Sequence, residues 1–134
     1  MDWKIELIPV PVADVDRAKR FYEQQAGWTV DFDIRPTAST RLVQLTPPGS
    51  GCSIVLGSET ADSEPGSLRG IQVVVADIET ARAELVDRGV DVTPVRRYED
   101  GAWVDGKGGD WNSFAFFSDP DGNGWVLQEH PARD

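Results

Sequence analysis

Short apolar runs and helically spaced apolar positions alternate along the chain. The segments from Ile5 to Val12 and from Ile71 to Ala76 are short runs rich in β-branched residues, which is typical of strands. Each run is followed by an aspartate, Asp14 or Asp77, whose carboxylate can accept hydrogen bonds from the unpaired N–H groups of a helix start. The pattern therefore predicts two strand–helix units, with each helix beginning just after its aspartate.

The apolar residues after each aspartate recur at the spacing of one helix face. Glycines at positions 27 and 89 are placed to end the helices, because glycine readily adopts the left-handed conformation found there. The residues on the two apolar faces are Val15, Ala18, Phe21 and Tyr22 in the first helix, and Ile78, Ala81, Leu85 and Val86 in the second.

Three further strands are predicted after each helix, separated by polar or Pro/Gly-rich turns. The predicted strands are Trp28–Arg35, Thr40–Thr46 and Cys52–Leu56 after the first helix, and Val90–Arg97, Asn112–Ser118 and Trp125–Glu129 after the second. Both halves of the chain thus have the order β-α-β-β-β.

The two halves also resemble each other in sequence. Val12–Lys19 and Val75–Arg82 share the order apolar, small, acidic, apolar, acidic, followed by an alanine and a basic residue. This self-similarity indicates a duplicated unit. We predict an α+β fold in which two tandem βαβββ modules form half-barrel sheets with helices on the outer face. The modules span about residues 3–57 and 70–130, joined by a linker of about residues 58–69, within a single domain of residues 1–134.

Composition and charge exclude several classes of protein. With 134 residues, of which 40% are hydrophobic and 27% charged, the chain is expected to form an ordinary globular core. The formal net charge of -10 repels phosphate backbones and anionic lipid surfaces, so no nucleic-acid partner is expected. No segment approaches the roughly 20 apolar residues of a membrane span. A single cysteine, Cys52, and the lack of a basic, apolar leader at the first residues favour a cytoplasmic location without membrane association.

Two motifs carry a resemblance to a known superfamily. The first runs from Val12-Ala13-Asp14 through Phe21-Tyr22 to Gly27-Trp28, and the second is the turn Asp119-Pro120-Asp121-Gly122-Asn123 before the last strand. Together with the duplication, they make the chain similar to the glyoxalase / bleomycin-resistance / extradiol-dioxygenase (vicinal oxygen chelate) superfamily over nearly its whole length. That superfamily contains lyases, dioxygenases, epimerases, thiol transferases and drug-sequestering proteins, so the fold alone does not select a chemistry.

The positions that hold the metal in metal-dependent members correspond here to Leu7, Gly70 and Val126, none of which can bind a cation. Glu6 and Glu129 lie near these positions, but odd shifts along a strand place them on the opposite face. The single histidine of the sequence, His130, is interpreted as a solvated residue of the C-terminal tail. The resemblance therefore implies a protein with neither metal nor other cofactor.

A ligand pocket is predicted on the inner faces of the two sheets. The Gly-rich stretch from Tyr98 to Trp111 either closes over this pocket as a lid or is a loop whose tryptophans pack on the body or on a second subunit. A lining that is mainly apolar, with two amides, suits a neutral or weakly polar organic molecule. The predicted pocket residues are Leu7, Pro9, Pro11, Gly70, Gln72, Val74, Trp103, Trp111, Val126 and Gln128.

The sequence favours a metal-independent protein that binds a small organic molecule, as a homodimer with pockets formed by paired half-barrels. Sequestration and a metal-free reaction both fit, and no nucleophile motif or phosphate loop identifies a catalytic residue. The first alternative is a metal-dependent lyase or dioxygenase of the same superfamily that uses other ligands. The second is a non-catalytic interaction module whose cup is filled by its own side chains or by a partner.

Overall fold

The computed structural model describes residues 1–57 and 62–132, which form two mixed sheets and two α-helices. The predicted linker lies partly outside the described residues, at positions 58–61. In chain order the elements are β1 Leu7–Pro9, α1 Val15–Arg20, β2 Thr29–Thr37, β3 Thr40–Thr46, β4 Ser53–Gly57, β5 Ile71–Val75, α2 Ile78–Asp87, β6 Arg96–Glu99, β7 Ala102–Asp105, β8 Phe114–Ser118 and β9 Gly124–Glu129. The predicted α+β architecture of two β-α-β modules is confirmed, and neither helix of the described part is long and apolar enough to cross a membrane.

The first of two compact units comprises Met1–Leu68 and Asp119–Asn123. Its sheet 1 has the strand order β1-β4-β3-β2, in which β1 pairs parallel with β4 and the remaining pairs are antiparallel. Helix α1 packs on β4, and the buried core contains side chains from both. The fully buried apolar residues of this core are Val10, Ala18, Tyr22, Val43, Leu45 and Leu56.

Helix α1 begins as its capping residue predicts. The Asp14 carboxylate accepts a hydrogen bond from the Arg17 N–H at 3.1 Å, which satisfies one unpaired donor of the first turn. The helix continues into a π-helical turn over Phe21–Gln25 and stops at Gly27, whose φ is 80°. The predicted start and end of the first helix are therefore confirmed.

Strand β1 is shorter than the predicted run from Ile5 to Val12. Pro9 and Pro11 have no N–H to donate, so regular pairing with β4 covers only Leu7–Pro9. The Val10 N–H still donates to the Val55 carbonyl at 3.0 Å. The Pro11 carbonyl accepts from the Gly66 N–H, which is not part of a strand.

The turn Asp119–Asn123 belongs to the first unit through a buried network of hydrogen bonds. Asp119 Oδ2 accepts from the Tyr22 hydroxyl at 2.7 Å, and Asn123 Nδ2 donates to Asp119 Oδ2 and to the Pro11 carbonyl, both at 2.8 Å. The Leu68 N–H completes the set by donating to Asn123 Oδ1. The second superfamily motif is therefore a structural element of this unit, since its polar side chains are used by buried neighbours.

The second unit comprises Arg69–Ser118 and the residues from Gly124 onward. Its sheet 2 has the order β5-β9-β8-β6-β7, with β5 parallel to β9 and the other pairs antiparallel. Helix α2 packs on β8 and β9 through its buried residues Ile78 and Leu85. Asp77 caps this helix by accepting from the Thr80 N–H, as predicted, and Gly89 follows it with a φ of 87°.

The predicted strand Val90–Arg97 is wrong for most of its length, because regular strand structure begins only at Arg96. The Arg82 guanidinium donates hydrogen bonds to the carbonyls of Val92 and Thr93, at 3.2 and 2.7 Å. Pro94 has no N–H that could pair with a neighbouring strand. Thr93 alone pairs with Phe116, through its own N–H and its hydroxyl. A tertiary contact to α2 thus replaces the expected ladder.

The interpretation of Tyr98–Trp111 as a loop is wrong for its first half, which is a β-hairpin made by β6 and β7. Asp100 and Gly101 form its turn, with positive φ values of 50° and 83°, and positive φ at both turn residues is the mark of a type I′ hairpin. Asn112 then closes the far end of the segment by hydrogen bonding to both the N–H and the carbonyl of Tyr98, each at 2.9 Å.

Candidate ligand-binding site

Sheet 2 has one face against α2 and a second face that we call its helix-distal face. Residues opposite one another in a ladder point to the same side, so the strand register assigns side chains to the two faces. Trp125, Leu127, Ala115 and Phe117 are buried on the helix side. The helix-distal face carries Gln72, Val74, Arg96, Tyr98, Trp103, Phe114, Phe116, Val126 and Gln128.

An aromatic cluster covers one end of the helix-distal face. The Trp103 ring lies edge-to-face on Tyr98, Phe114 and Phe116, with centroid distances of 5.3, 5.4 and 5.3 Å. Edge-to-face pairs are a favoured aromatic geometry, so these rings hold one another in place. The Trp103 side chain nevertheless stays 48% exposed, and Tyr98 is also exposed. The cluster is thus an ordered apolar surface that is still accessible.

A cleft of about 570 Å³ lies beside this cluster, entirely within the second unit. It contains Phe116 of the cluster and Val126 of β9, together with polar groups from Asp91, Thr93 and Arg96. Arg96 forms an ion pair with Asp105 at 3.4 Å. The further lining residues are Arg69, Gly70, Val92, Pro94, Phe117, Ser118, Gly124 and Trp125. This volume is in the range of small-molecule sites, which combine apolar walls with a few polar groups.

The structure brings together most of the pocket residues predicted in the second half. Gln72 lies opposite Val126 and Val74 lies opposite Gln128, all on the helix-distal face, while Gly70 and Val126 line the cleft. Trp103 contributes to the aromatic cluster at the same face.

Trp111 is placed apart from the aromatic cluster. Its backbone has a positive φ of 62°, and its carbonyl accepts from Gln128 Nε2 at 2.9 Å. The side chain is 49% exposed and lines a second, more polar cleft of about 390 Å³ with Lys107 and Glu129. The two tryptophans of the Tyr98–Trp111 segment therefore have different surroundings.

The pocket residues predicted in the first half lie in or near β1. Leu7 is opposite Ser53 and Pro9 is opposite Val55 in the ladder with β4, and both are exposed. Pro11 is buried beyond the end of β1, where its carbonyl is used by Asn123 and Gly66. Leu7 and Pro9 thus share a face of sheet 1. Pro11 lies outside the regular strand and is not part of that face.

A metal site requires several side chains that can bind the ion together. Within residues 1–57 and 62–132, no three or more His, Cys, Asp or Glu residues are placed to do this. Glu129 instead caps α2, with Oε2 accepting from the Ile78 N–H at 3.0 Å and Oε1 pairing with Lys107 at 2.9 Å. The Ile78 hydrogen bond and then the Lys107 contact lower the pKa of Glu129. His130 is half-buried and continues the pairing of β9 through its N–H and the Val75 carbonyl, so its interpretation as a solvated tail residue is wrong.

Four residues of the helix-distal face were not predicted from the sequence as pocket residues: Arg96, Tyr98, Phe114 and Phe116. The Asp-Gly dipeptide at positions 100 and 101 is a strong hairpin signal and would have placed Tyr98 opposite Trp103. The apolar run Phe114–Phe117 has large side chains on both faces, which indicates a strand that makes apolar contacts on both sides of the sheet.

Comparison with known proteins identifies the family. A profile of the Glyoxalase/Bleomycin resistance protein/Dioxygenase superfamily matches residues 4–127. The chain belongs to this superfamily. A search of curated proteins finds no match.

Several solved structures of the superfamily are similar to the chain over almost their entire length. TnmS3, described as an antibiotic binding protein from Streptomyces sp. CB03234, is 34% identical with a TM-score of 0.77, covering 97% of this chain and 98% of its own. A glyoxalase/bleomycin resistance protein from the same strain is 36% identical with a TM-score of 0.73, covering 93% and 99%. A superfamily member from Sphaerobacter thermophilus DSM 20745 is 28% identical with a TM-score of 0.75, covering 96% and 98%. Small-molecule binding is thus supported at the level of the superfamily.

Proposed function

We propose that this protein binds a flat, largely apolar organic molecule of the antibiotic type on the helix-distal face of sheet 2, without a metal. The observation that carries the proposal is the half-exposed Trp103 ring, held by three other rings beside a cleft of about 570 Å³. The similarity to TnmS3, which is described as an antibiotic binding protein, supports the ligand class.

The aromatic cluster suits such a ligand because its geometry is already formed. Trp103 is held by contacts with Tyr98, Phe114 and Phe116, so little side-chain entropy is lost when a flat molecule packs against it. Each square ångström of apolar surface removed from water contributes about 25 cal/mol. A planar ring system covering Trp103 and reaching Phe116 would therefore gain affinity mainly by burial.

Polar groups at the cleft favour a ligand that is oxygenated rather than purely hydrocarbon. Arg96 can donate hydrogen bonds and Asp91 can accept them, whereas the Thr93 hydroxyl already donates to the Pro94 carbonyl and accepts from the Phe116 N–H. Because cationic and anionic side chains both line the cleft, a neutral molecule with several hydroxyl or carbonyl groups fits better than a small anion.

Sequestration is the activity that this arrangement supports best. Gly70 and Val126, at positions where metal-dependent members carry ligands, offer no donor side chain to a cation, and the polar residues of the cleft include no nucleophile paired with a base. Tight binding alone requires only the ordered rings and the orienting polar groups. That the protein acts as a homodimer stays a prediction.

The proposal is tested by a thermal-shift screen of planar, oxygenated aromatic antibiotics against protein dialysed with EDTA, followed by calorimetry of the hits. We expect at least one compound to raise the melting temperature, because a ligand present at 100 times its Kd stabilises the folded state by about 2.7 kcal/mol. Its affinity should be the same with EDTA and with added Mn²⁺ or Zn²⁺. Binding or turnover that requires the metal would contradict the proposal and favour a metal-dependent lyase or dioxygenase, and a screen without any stabilising compound would favour an interaction module.

A further inference from the structure

A row of hydrogen-bonded side chains crosses sheet 1 from β4 to β2. Ser53 Oγ lies 2.6 Å from Thr46 Oγ1, and Thr46 Oγ1 in turn donates to Asp31 Oδ2. Gln44 Nε2 donates to the same carboxylate oxygen at 3.1 Å. An ionised carboxylate only accepts hydrogen bonds, so Thr46 is the donor to Asp31 and Ser53 is the donor to Thr46. The row is therefore polarised toward the Asp31 carboxylate.

A β-bulge in β2 determines what surrounds this carboxylate. Val30 pairs with Leu45 and Phe32 pairs with Gln44, which leaves Asp31 as the extra residue between two registers. Regular alternation would place neighbouring residues on opposite faces, but the bulge brings Phe32 to the face that already carries Asp31. A ring and a carboxylate thus stand side by side on one face of the sheet.

Exposed apolar side chains flank the polar row on both sides. Phe32 and Ile34 lie on the β2 side, and Leu7 lies opposite Ser53 on the β1 side. Ser53 itself is only 8% exposed. Large exposed apolar residues grouped around an ordered polar row are typical of a binding surface rather than of a solvated sheet face.

Within residues 1–57 and 62–132, no cationic side chain forms an ion pair with Asp31. Hydrogen bonds from Thr46 and then Gln44 hold the pKa of Asp31 below its usual range, so the group is an anion at neutral pH. Both bonds end on Oδ2, and Oδ1 accepts none from the described residues. The neighbouring Asp33 differs, because its carboxylate is neutralised by Arg41 and Lys19.

We propose that Asp31, with its hydrogen-bonded row and the adjacent Phe32 and Ile34, forms a binding site for an organic cation with an apolar body, such as a protonated aromatic amine. The ammonium group donates to Asp31 Oδ1, and the apolar body lies on Phe32 and Ile34, where a ring face also attracts the positive charge. A carboxylate whose pKa is lowered is a weak base, so the site binds a proton-bearing group rather than removing the proton. This site lies in the first unit and does not depend on the proposed function of the cleft in the second.

The test compares 1-naphthylmethylamine with its neutral analogue 1-naphthylmethanol in NMR titrations of the ¹⁵N-labelled protein. We expect the amine to shift the amide signals of residues 29–34 and 44–46, and to bind about fivefold to tenfold more tightly than the alcohol at this position. This comparison uses the unmodified protein, so it does not depend on how any variant folds.

Asp31→Asn keeps the shape of the side chain and should reduce amine affinity to that of the alcohol, whereas Asp62→Asn, an exposed site with the same change in net charge, should leave it unchanged. Equal binding of amine and alcohol, or unchanged amine affinity in Asp31→Asn, would overturn the site. Amine-induced shifts confined to β6 to β9 would also overturn it, while leaving the proposed function of the aromatic cluster intact.

Discussion

Replacing Asn123 with alanine is expected to lower the free energy of unfolding by about 2–4 kcal/mol, because it removes three buried hydrogen bonds at about 0.5–1.5 kcal/mol each. The Asn123 side chain is fully buried and hydrogen bonds to the Pro11 carbonyl, the Leu68 N–H and Asp119 Oδ2. Its loss removes one hydrogen bond from each of these groups, although the Pro11 carbonyl still accepts from the Gly66 N–H and Asp119 Oδ2 still accepts from the Tyr22 hydroxyl. The Asp-Pro-Asp-Gly-Asn turn would keep the bonds that Asp121 accepts from Ala13 and Arg17, but its Asn123 side chain would no longer connect it to Pro11 and Leu68.

Urea unfolding followed by circular dichroism measures this effect. Gln24→Ala is the matched control, because it removes an exposed side-chain amide from the same unit, and its effect should stay within about 0.5 kcal/mol. Tyr22→Phe, which removes a single hydrogen bond to Asp119, should fall between the two at about 1–2 kcal/mol. An Asn123→Ala protein as stable as the control would show that the network contributes nothing to the first unit.

Replacing Trp103 with alanine is expected to weaken binding of a ligand found in the screen about 10-fold to 100-fold, as for a central aromatic residue of a binding surface. The substitution removes the ring that contacts Tyr98, Phe114 and Phe116 and leaves these rings without their common neighbour. Both the area available to the ligand and the order of the remaining rings would decrease. Isothermal titration calorimetry gives the change in Kd directly.

Trp111→Ala provides a control with the same residue type and nearly the same exposure, 49% against 48%. Trp111 lines the other cleft, so its loss should change the Kd by less than about threefold, within the effect of an ordinary surface substitution. Equal losses of affinity in both variants, or a loss only in Trp111→Ala, would move the ligand away from the aromatic cluster.

The parts of the fold that the sequence predicted correctly depend on local interactions. Asp14 and Asp77 bond to N–H groups of their own helices, so the type and position of the two residues suffice to place the helix starts. Alternation placed Gln72 and Val126 on one face because β5 and β9 pair without a register shift. Because the two modules are similar in sequence, the same prediction of the helix start applied to both.

The parts that the sequence did not predict depend on contacts between distant residues. Arg82 of α2 donates hydrogen bonds to the carbonyls of Val92 and Thr93, which a neighbouring strand would otherwise use. The apolar run from Val90 onward gives no sign of these bonds. The bulge at Asp31 likewise results from the register between β2 and β3, so simple alternation separates Asp31 from Phe32 although the structure places them together.

The most direct test of metal-free ligand binding by the aromatic cluster is a crystal structure of the protein with a screened antibiotic, grown in the presence of EDTA. We predict that the ring system of the ligand lies within about 4.5 Å of the Trp103 and Phe116 rings. Its polar groups should be hydrogen-bonded to the cleft residues Arg96 or Asp91. A ligand bound at another surface, or one coordinated to a metal ion held by protein side chains, would contradict the account.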